Sequence, residues 1–135
     1  MGGEEETGGT GGGTTGGGPP VDPGFAMCGT ELCFDLANNA NAALREIDGA
    51  RVITVDGRRL LIVRTAEMTF VVLSAVCTHA GCTVHYAAGS RDVACPCHGS
   101  TFDLDGSVTN GPAQSPLDVF AARYDAASDL VTVTI

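Results

Sequence analysis

Cys77-Thr78-His79-Ala80-Gly81-Cys82, followed after twelve residues by Cys95-Pro96-Cys97-His98-Gly99-Ser100, is the stretch on which the reading of this chain turns. The two boxes place four cysteines and two histidines within 22 residues. Thiolates and imidazoles so spaced are metal ligands far more often than chance neighbours, because soft sulfur and borderline nitrogen together suit zinc or iron. A closed structural zinc site would complete its tetrahedron with four ligands and leave two of the six without a role. The order Cys-x-His and then Cys-x-x-His divides differently. Each box offers one thiolate and one imidazole, so one iron can take both thiolates and a second iron both imidazoles.

Outward from the boxes, short β-rich runs alternate with turn signals. Residues 51–55 and 60–63 flank Asp56-Gly57, a dipeptide that supplies the positive φ angles of a type I′ hairpin turn. A third strand is predicted over residues 69–76, after a turn at Ala66-Glu67. Residues 119–124 and 130–135 read as a second hairpin around 125–129, and Asp105-Gly106 marks a further turn. Asp103-Leu-Asp105 has the look of a calcium loop, but Gln114 stands where the closing Glu is needed, so a turn is the better reading. Only residues 41–46 read as helical, for one or two turns. The expectation is an all-β domain.

Residues 2–18 are Gly, Thr and Glu only, with Pro19, Pro20 and Pro23 close behind. Such chain has much conformational entropy to lose and nothing apolar to bury, so residues 1–27 are expected to be a flexible tether and 28–135 the folded domain. A domain of that size gains noticeably from cross-links or a bound cluster. The net charge of -9 comes without a Lys/Arg cluster, which argues against nucleic acid as a partner. The longest apolar run, residues 70–76, is far shorter than the roughly 20 residues of a membrane span. No signal-peptide pattern opens the sequence, so any export signal or anchor is expected upstream of it.

The two boxes resemble the cluster-binding motifs of the Rieske iron-sulfur proteins, and the likeness extends over about residues 32–135. It implies an antiparallel β-sandwich with a small cluster-binding subdomain, here about 74–118, and one 2Fe-2S cluster. The family's ligand positions fall on Cys77 and Cys95 for one iron and on His79 and His98 for the other. Cys82 and Cys97 match the positions joined by a disulfide in the high-potential branch, which includes the Rieske subunits of quinol-cytochrome reductases and the small subunit of arsenite oxidase. Such a disulfide implies a periplasmic or other extracytoplasmic setting, with membrane tethering through an N-terminal segment. In that setting Cys28 and Cys33 are expected to form a second bridge across a Gly-containing turn.

The resemblance also assigns tuning groups. Ser100 stands where the family places a hydroxyl that bonds a bridging sulfide, and Phe102 where high-potential members often carry a tyrosine bonded to a ligand cysteine. Ala80 replaces a leucine common in quinol-oxidising members. The segment 111–117, with Gly111, Pro112 and Pro116, matches a loop that covers the cluster; His85 is expected to be a surface residue outside the ligand set. The implied role is one-electron transfer, proton-coupled through the imidazoles, from a quinol-oxidising complex or another oxidoreductase to a c-type cytochrome. Such a chain is not expected to catalyse a full reaction alone. A redox subunit of a two-subunit molybdenum oxidase is the alternative, and a structural zinc module a remote third.

Overall fold

The computed structural model describes residues 23–79 and 81–135; residues 1–22, which hold most of the expected tether, and Ala80 lie outside them. Twelve strands are found among the described residues: β1 (Phe25–Cys28), β2 (Glu31–Asp35), β3 (Ala50–Val55), β4 (Arg58–Ala66), β5 (Thr69–Ser74), β6 (His85–Ala87), β7 (Asp92–Ala94), β8 (Thr101–Phe102), β9 (Val108–Asn110), β10 (Val119–Phe120), β11 (Ala122–Asp125) and β12 (Leu130–Thr134). They pair into three four-stranded sheets, in the orders β1-β2-β12-β11, β10-β5-β4-β3 and β6-β7-β8-β9. Every pairing is antiparallel, so the all-β expectation holds.

The middle sheet is covered on both faces, and β4 shows why. Side chains alternate across a strand, and in β4 Leu60 and Ile62 point into one core while Leu61 and Val63 point into the other. The first core joins them to Leu32, Phe34, Val131 and Val133 of the first sheet. The second joins them to Val84, Val93 and Phe102 around the third sheet, together with Cys77 and Cys95. A strand buried on both faces reads as an unbroken apolar run, as residues 60–63 do.

The hairpin at Asp56-Gly57 forms as predicted. Val55 pairs with Arg58, and the two loop residues take φ angles of 50° and 76°. Other boundaries differ. The β4–β5 turn falls at Glu67-Met68, one residue later than predicted, because Ala66 pairs with Thr69 across a register shift. Strand β5 stops at Ser74, and Val76 makes only an isolated bridge to Thr83. The run 119–124 breaks at Ala121, so that β10 pairs with β5 while β11 pairs with β12 in the other sheet. The helical segment is a 3-10 helix, Asn39–Arg45, whose first turn is capped by Asn38 Oδ1 accepting the Ala40 N–H at 2.8 Å. Ahead of residue 28, strand β1 already pairs with β2, Phe25 opposite Phe34. Its start is held by Asn41, whose Nδ2 donates to the Gly24 carbonyl at 2.8 Å, and by Arg51, which donates to the Pro23 carbonyl at 2.7 Å.

Between Ser74 and Asp118 the chain leaves the middle sheet and returns to it at one place, where the Ser74 N–H donates to the Asp118 carbonyl at 2.8 Å. A polar tie joins the third sheet to the rest. Tyr86 donates to Asp48 at 2.7 Å, Arg91 pairs with the same carboxylate at 3.2 Å, and Arg91 also donates to the Thr65 carbonyl at 2.7 Å.

Candidate metal centre

The first box lies between β5 and β6, the second between β7 and β8, and the two share one backbone design. In the first, the Cys77 N–H donates to the Cys82 carbonyl at 2.8 Å and the Cys77 carbonyl accepts the Gly81 N–H at 2.9 Å. In the second, the Cys95 N–H donates to the Ser100 carbonyl at 2.8 Å and the Cys95 carbonyl accepts the Gly99 N–H at 3.2 Å. Gly81 and Gly99 occupy matching places, with φ of 73° and 77°. Glycine reaches that left-handed region at no steric cost, so each turn can close back on its cysteine.

The design puts sulfur inside and nitrogen outside. Cys77 and Cys95 are each 2% exposed, in the core shared by the middle and third sheets. His79 and His98 are exposed, their rings edge to face with centroids 4.8 Å apart. Cys82 and Cys97 form a disulfide linking the two boxes, and Cys28 and Cys33 form a second one between β1 and β2. Both predicted pairings are therefore present. His85 is exposed on β6, opposite Ala94.

The segment 111–117 is fastened to both boxes. Thr78 Oγ1 donates to the Ser115 carbonyl at 2.7 Å, and Ser100 Oγ accepts the Ala113 N–H at 3.1 Å. Gly111 passes so near the second box that a Cβ on it would lie 2.6 Å from Ser100 Cα. Ala113 and Leu117 are buried, while Pro112 and Pro116 are exposed. The sequence marked this loop by its Pro and Gly; Thr78 and Ala113, which hold it, carry no such signal. Phe102 is fully buried in the core that holds the two ligand-type cysteines.

The sequence model of the Rieske 2Fe-2S domain matches residues 38–121. The chain belongs to this family. Curated relatives include the cytochrome b6-f complex iron-sulfur subunit of Prochlorococcus marinus (strain MIT 9301), 40% identical over 78 residues, which are 58% of this chain and 43% of that one. The subunit of the same name from Synechococcus sp. (strain RCC307) is 44% identical over 62 residues, 46% of this chain and 34% of that one. The Rieske chain thus spans less than half the length of these relatives. Among solved structures, the plasma membrane Rieske protein of Synechocystis PCC 6803 superposes with a TM-score of 0.57 at 25% identity, over 64% of this chain and 87% of that one. The ferredoxin of carbazole 1,9a-dioxygenase from Nocardioides aromaticivorans IC177 shares the fold, with a TM-score of 0.56 at 24% identity over 66% and 86% of the two chains.

The family's cofactor is a 2Fe-2S cluster, and the residues of this chain fit that group. The donors come as a buried pair of thiols and an exposed pair of imidazoles, which suits two irons with two protein ligands each. Ser100 adds a second sign of fit. It is fully buried, its oxygen accepts from Ala113, and no acceptor for its hydroxyl hydrogen is found among the described residues. A buried donor calls for an acceptor, and a bridging sulfide would supply one.

Proposed function

We propose that Cys77 and Cys95 hold one iron and His79 and His98 the other, and that single electrons cross the protein surface at the two histidines. The observation that carries this reading is the arrangement of the pairs, with thiols 2% exposed beneath and solvent-exposed imidazoles 4.8 Å apart above. When bound, the cluster supplies one-electron redox chemistry at a potential raised by imidazole ligation, in the range of roughly −150 to +300 mV. Buried thiolates are held as ligands away from water and from outside oxidants. Each exposed imidazole keeps an outer nitrogen open to solvent, where it can hold or release a proton as the electron arrives.

Ser100, with its spare hydroxyl hydrogen, would donate to a cluster sulfide and favour the reduced state, while Phe102 offers no hydroxyl to a ligand cysteine. The loop 111–117 covers the cluster from the side where Thr78 and Ser100 fasten it. Two disulfides favour an extracytoplasmic site. The donor is a quinol-oxidising complex and the acceptor a c-type cytochrome; similarity to cytochrome b6-f subunits favours this over a molybdenum oxidase partner.

The test is anaerobic reconstitution followed by iron and sulfide analysis and EPR of the dithionite-reduced protein. Two irons, two sulfides and an EPR signal from the reduced protein are expected, with the signal lost in His79→Ala and His98→Ala. Stoichiometric zinc, no sulfide and a silent spectrum would sink this reading.

A further inference from the structure

On β4, Arg59 reaches out of the middle sheet toward the first box, and its guanidinium straddles Cys82. One terminal nitrogen, Nη1, donates to Thr83 Oγ1 at 2.6 Å and the other, Nη2, to the Gly81 carbonyl at 3.0 Å, so the residues on both sides of the disulfide cysteine are held. The backbone continues the brace. The Arg59 carbonyl accepts the Ala75 N–H at 2.9 Å, the Ala75 carbonyl accepts the Val84 N–H at 2.9 Å, and Val76 bridges Thr83. A planar guanidinium with donors in a fixed fork suits such a two-point hold, which a lysine ammonium cannot reproduce. Arg58, the preceding residue, is exposed and makes no side-chain hydrogen bond among the described residues.

We propose that Arg59 is a positioning residue for the cluster site. By bracketing Cys82 it fixes the Cys82–Cys97 disulfide, and through that bond the second box, while keeping a positive charge beside the first. This rests on the cluster reading above. Reduction adds negative charge to the site, and a fixed cation nearby favours that state. Much of the field is screened, because the side chain lies at the surface.

Two readouts test the proposal in the reconstituted protein. The first is the rate at which a dithiol reductant opens Cys82–Cys97, followed by mass spectrometry of trapped thiols, with Cys28–Cys33 as internal reference. The second is the electron-exchange equilibrium with a reference mediator. In Arg59→Gln the Cys82–Cys97 bond is expected to open at least threefold faster relative to the reference. The exchange constant is expected to move at least threefold toward the oxidised protein, about 28 mV at 59 mV per decade for one electron. Arg59→Lys should keep the potential near wild type while the bond still opens faster, since the charge remains and the fork is gone. Arg58→Gln, which removes an equal charge without the hold, should leave the opening rate unchanged. An Arg59→Gln protein with either readout at the wild-type value overturns the proposal, and so does equal acceleration in Arg58→Gln. Wild-type protein that takes up no iron and sulfide would sink the cluster reading instead, and the opening rates would then decide alone whether Arg59 fixes Cys82.

Discussion

Phe102 is fully buried beside β7, paired with Val93 and packed in the core that holds Cys77 and Cys95. The family resemblance puts at this position a tyrosine bonded to a ligand cysteine, and one hydrogen bond favouring the reduced state is worth about 1 kcal/mol. Phe102→Tyr is therefore expected to raise the potential, with a roughly fivefold shift in the exchange constant; redox titration followed by EPR checks it, and an unchanged or lower potential refutes it. Two glycines separate backbone conformation from close packing. Gly111 combines φ of 97° with a Cβ position 2.6 Å from Ser100 Cα, whereas Gly81 has φ of 73° and nothing within 4 Å of its Cβ position. Urea unfolding should show Gly111→Ala costing about 2–4 kcal/mol and Gly81→Ala about 1–2 kcal/mol, because only the first adds a clash to the backbone strain.

At the scale of elements, the third sheet is tied to the rest by an apolar core and by the Asp48–Tyr86–Arg91 group. Burial pushes the Tyr86 phenol above its ordinary value, and the hydrogen bond to Asp48 pushes it further. A raised folded pKa means that the protonated phenol is favoured in the fold. Its contribution is complete below the unfolded value of about 10 and is lost as pH rises through that value toward the folded one. Tyr86→Phe should therefore be less stable at neutral pH and lose less on going to alkaline pH, as read from the urea midpoint across that window. The opposite sign holds in the first sheet, where β2 meets β12. Hydrogen bonds from Arg123 and then Thr134 hold the Glu31 carboxyl below its ordinary value. That contribution is present above the unfolded carboxylate pKa and fades as pH falls through the lowered one, so Arg123→Met should flatten the acid limb of the stability profile.

In the whole molecule, the middle sheet serves two cores, and its strands β4 and β5 connect the sandwich to the site. The family match, residues 38–121, covers the middle and third sheets but not β1, β2, β11 or β12. Two disulfides stabilise this arrangement at different ranges, with sequence separations of 5 for Cys28–Cys33 and 15 for Cys82–Cys97. Loop-closure entropy gives about 2 kcal/mol for the first and about 3 kcal/mol for the second. Thermal unfolding should accordingly show Cys82→Ala/Cys97→Ala as the more destabilised pair, and equal losses would mean that the second bridge acts on the native state as well.

The sequence by itself determined the family, the candidate donors and the short-range structure. Cys77, His79, Cys95 and His98 stand out as candidates because residue type and spacing are local properties, and Asp56-Gly57 because its turn needs only two positive φ angles. What it left open depended on partners distant along the chain. The break at Ala121 arises because β10 and β11 pair with strands of different sheets, and residues 119–124 read alone as one strand. Only tertiary structure brought Thr78 to Ser115, Ala113 to Ser100 and Arg59 to Gly81 and Thr83, since each of these contacts joins segments 13 to 37 residues apart. Sequence named the atoms that can hold a cluster; the packing of three sheets decided that sulfur faces inward, nitrogen faces solvent, and which neighbours keep them so.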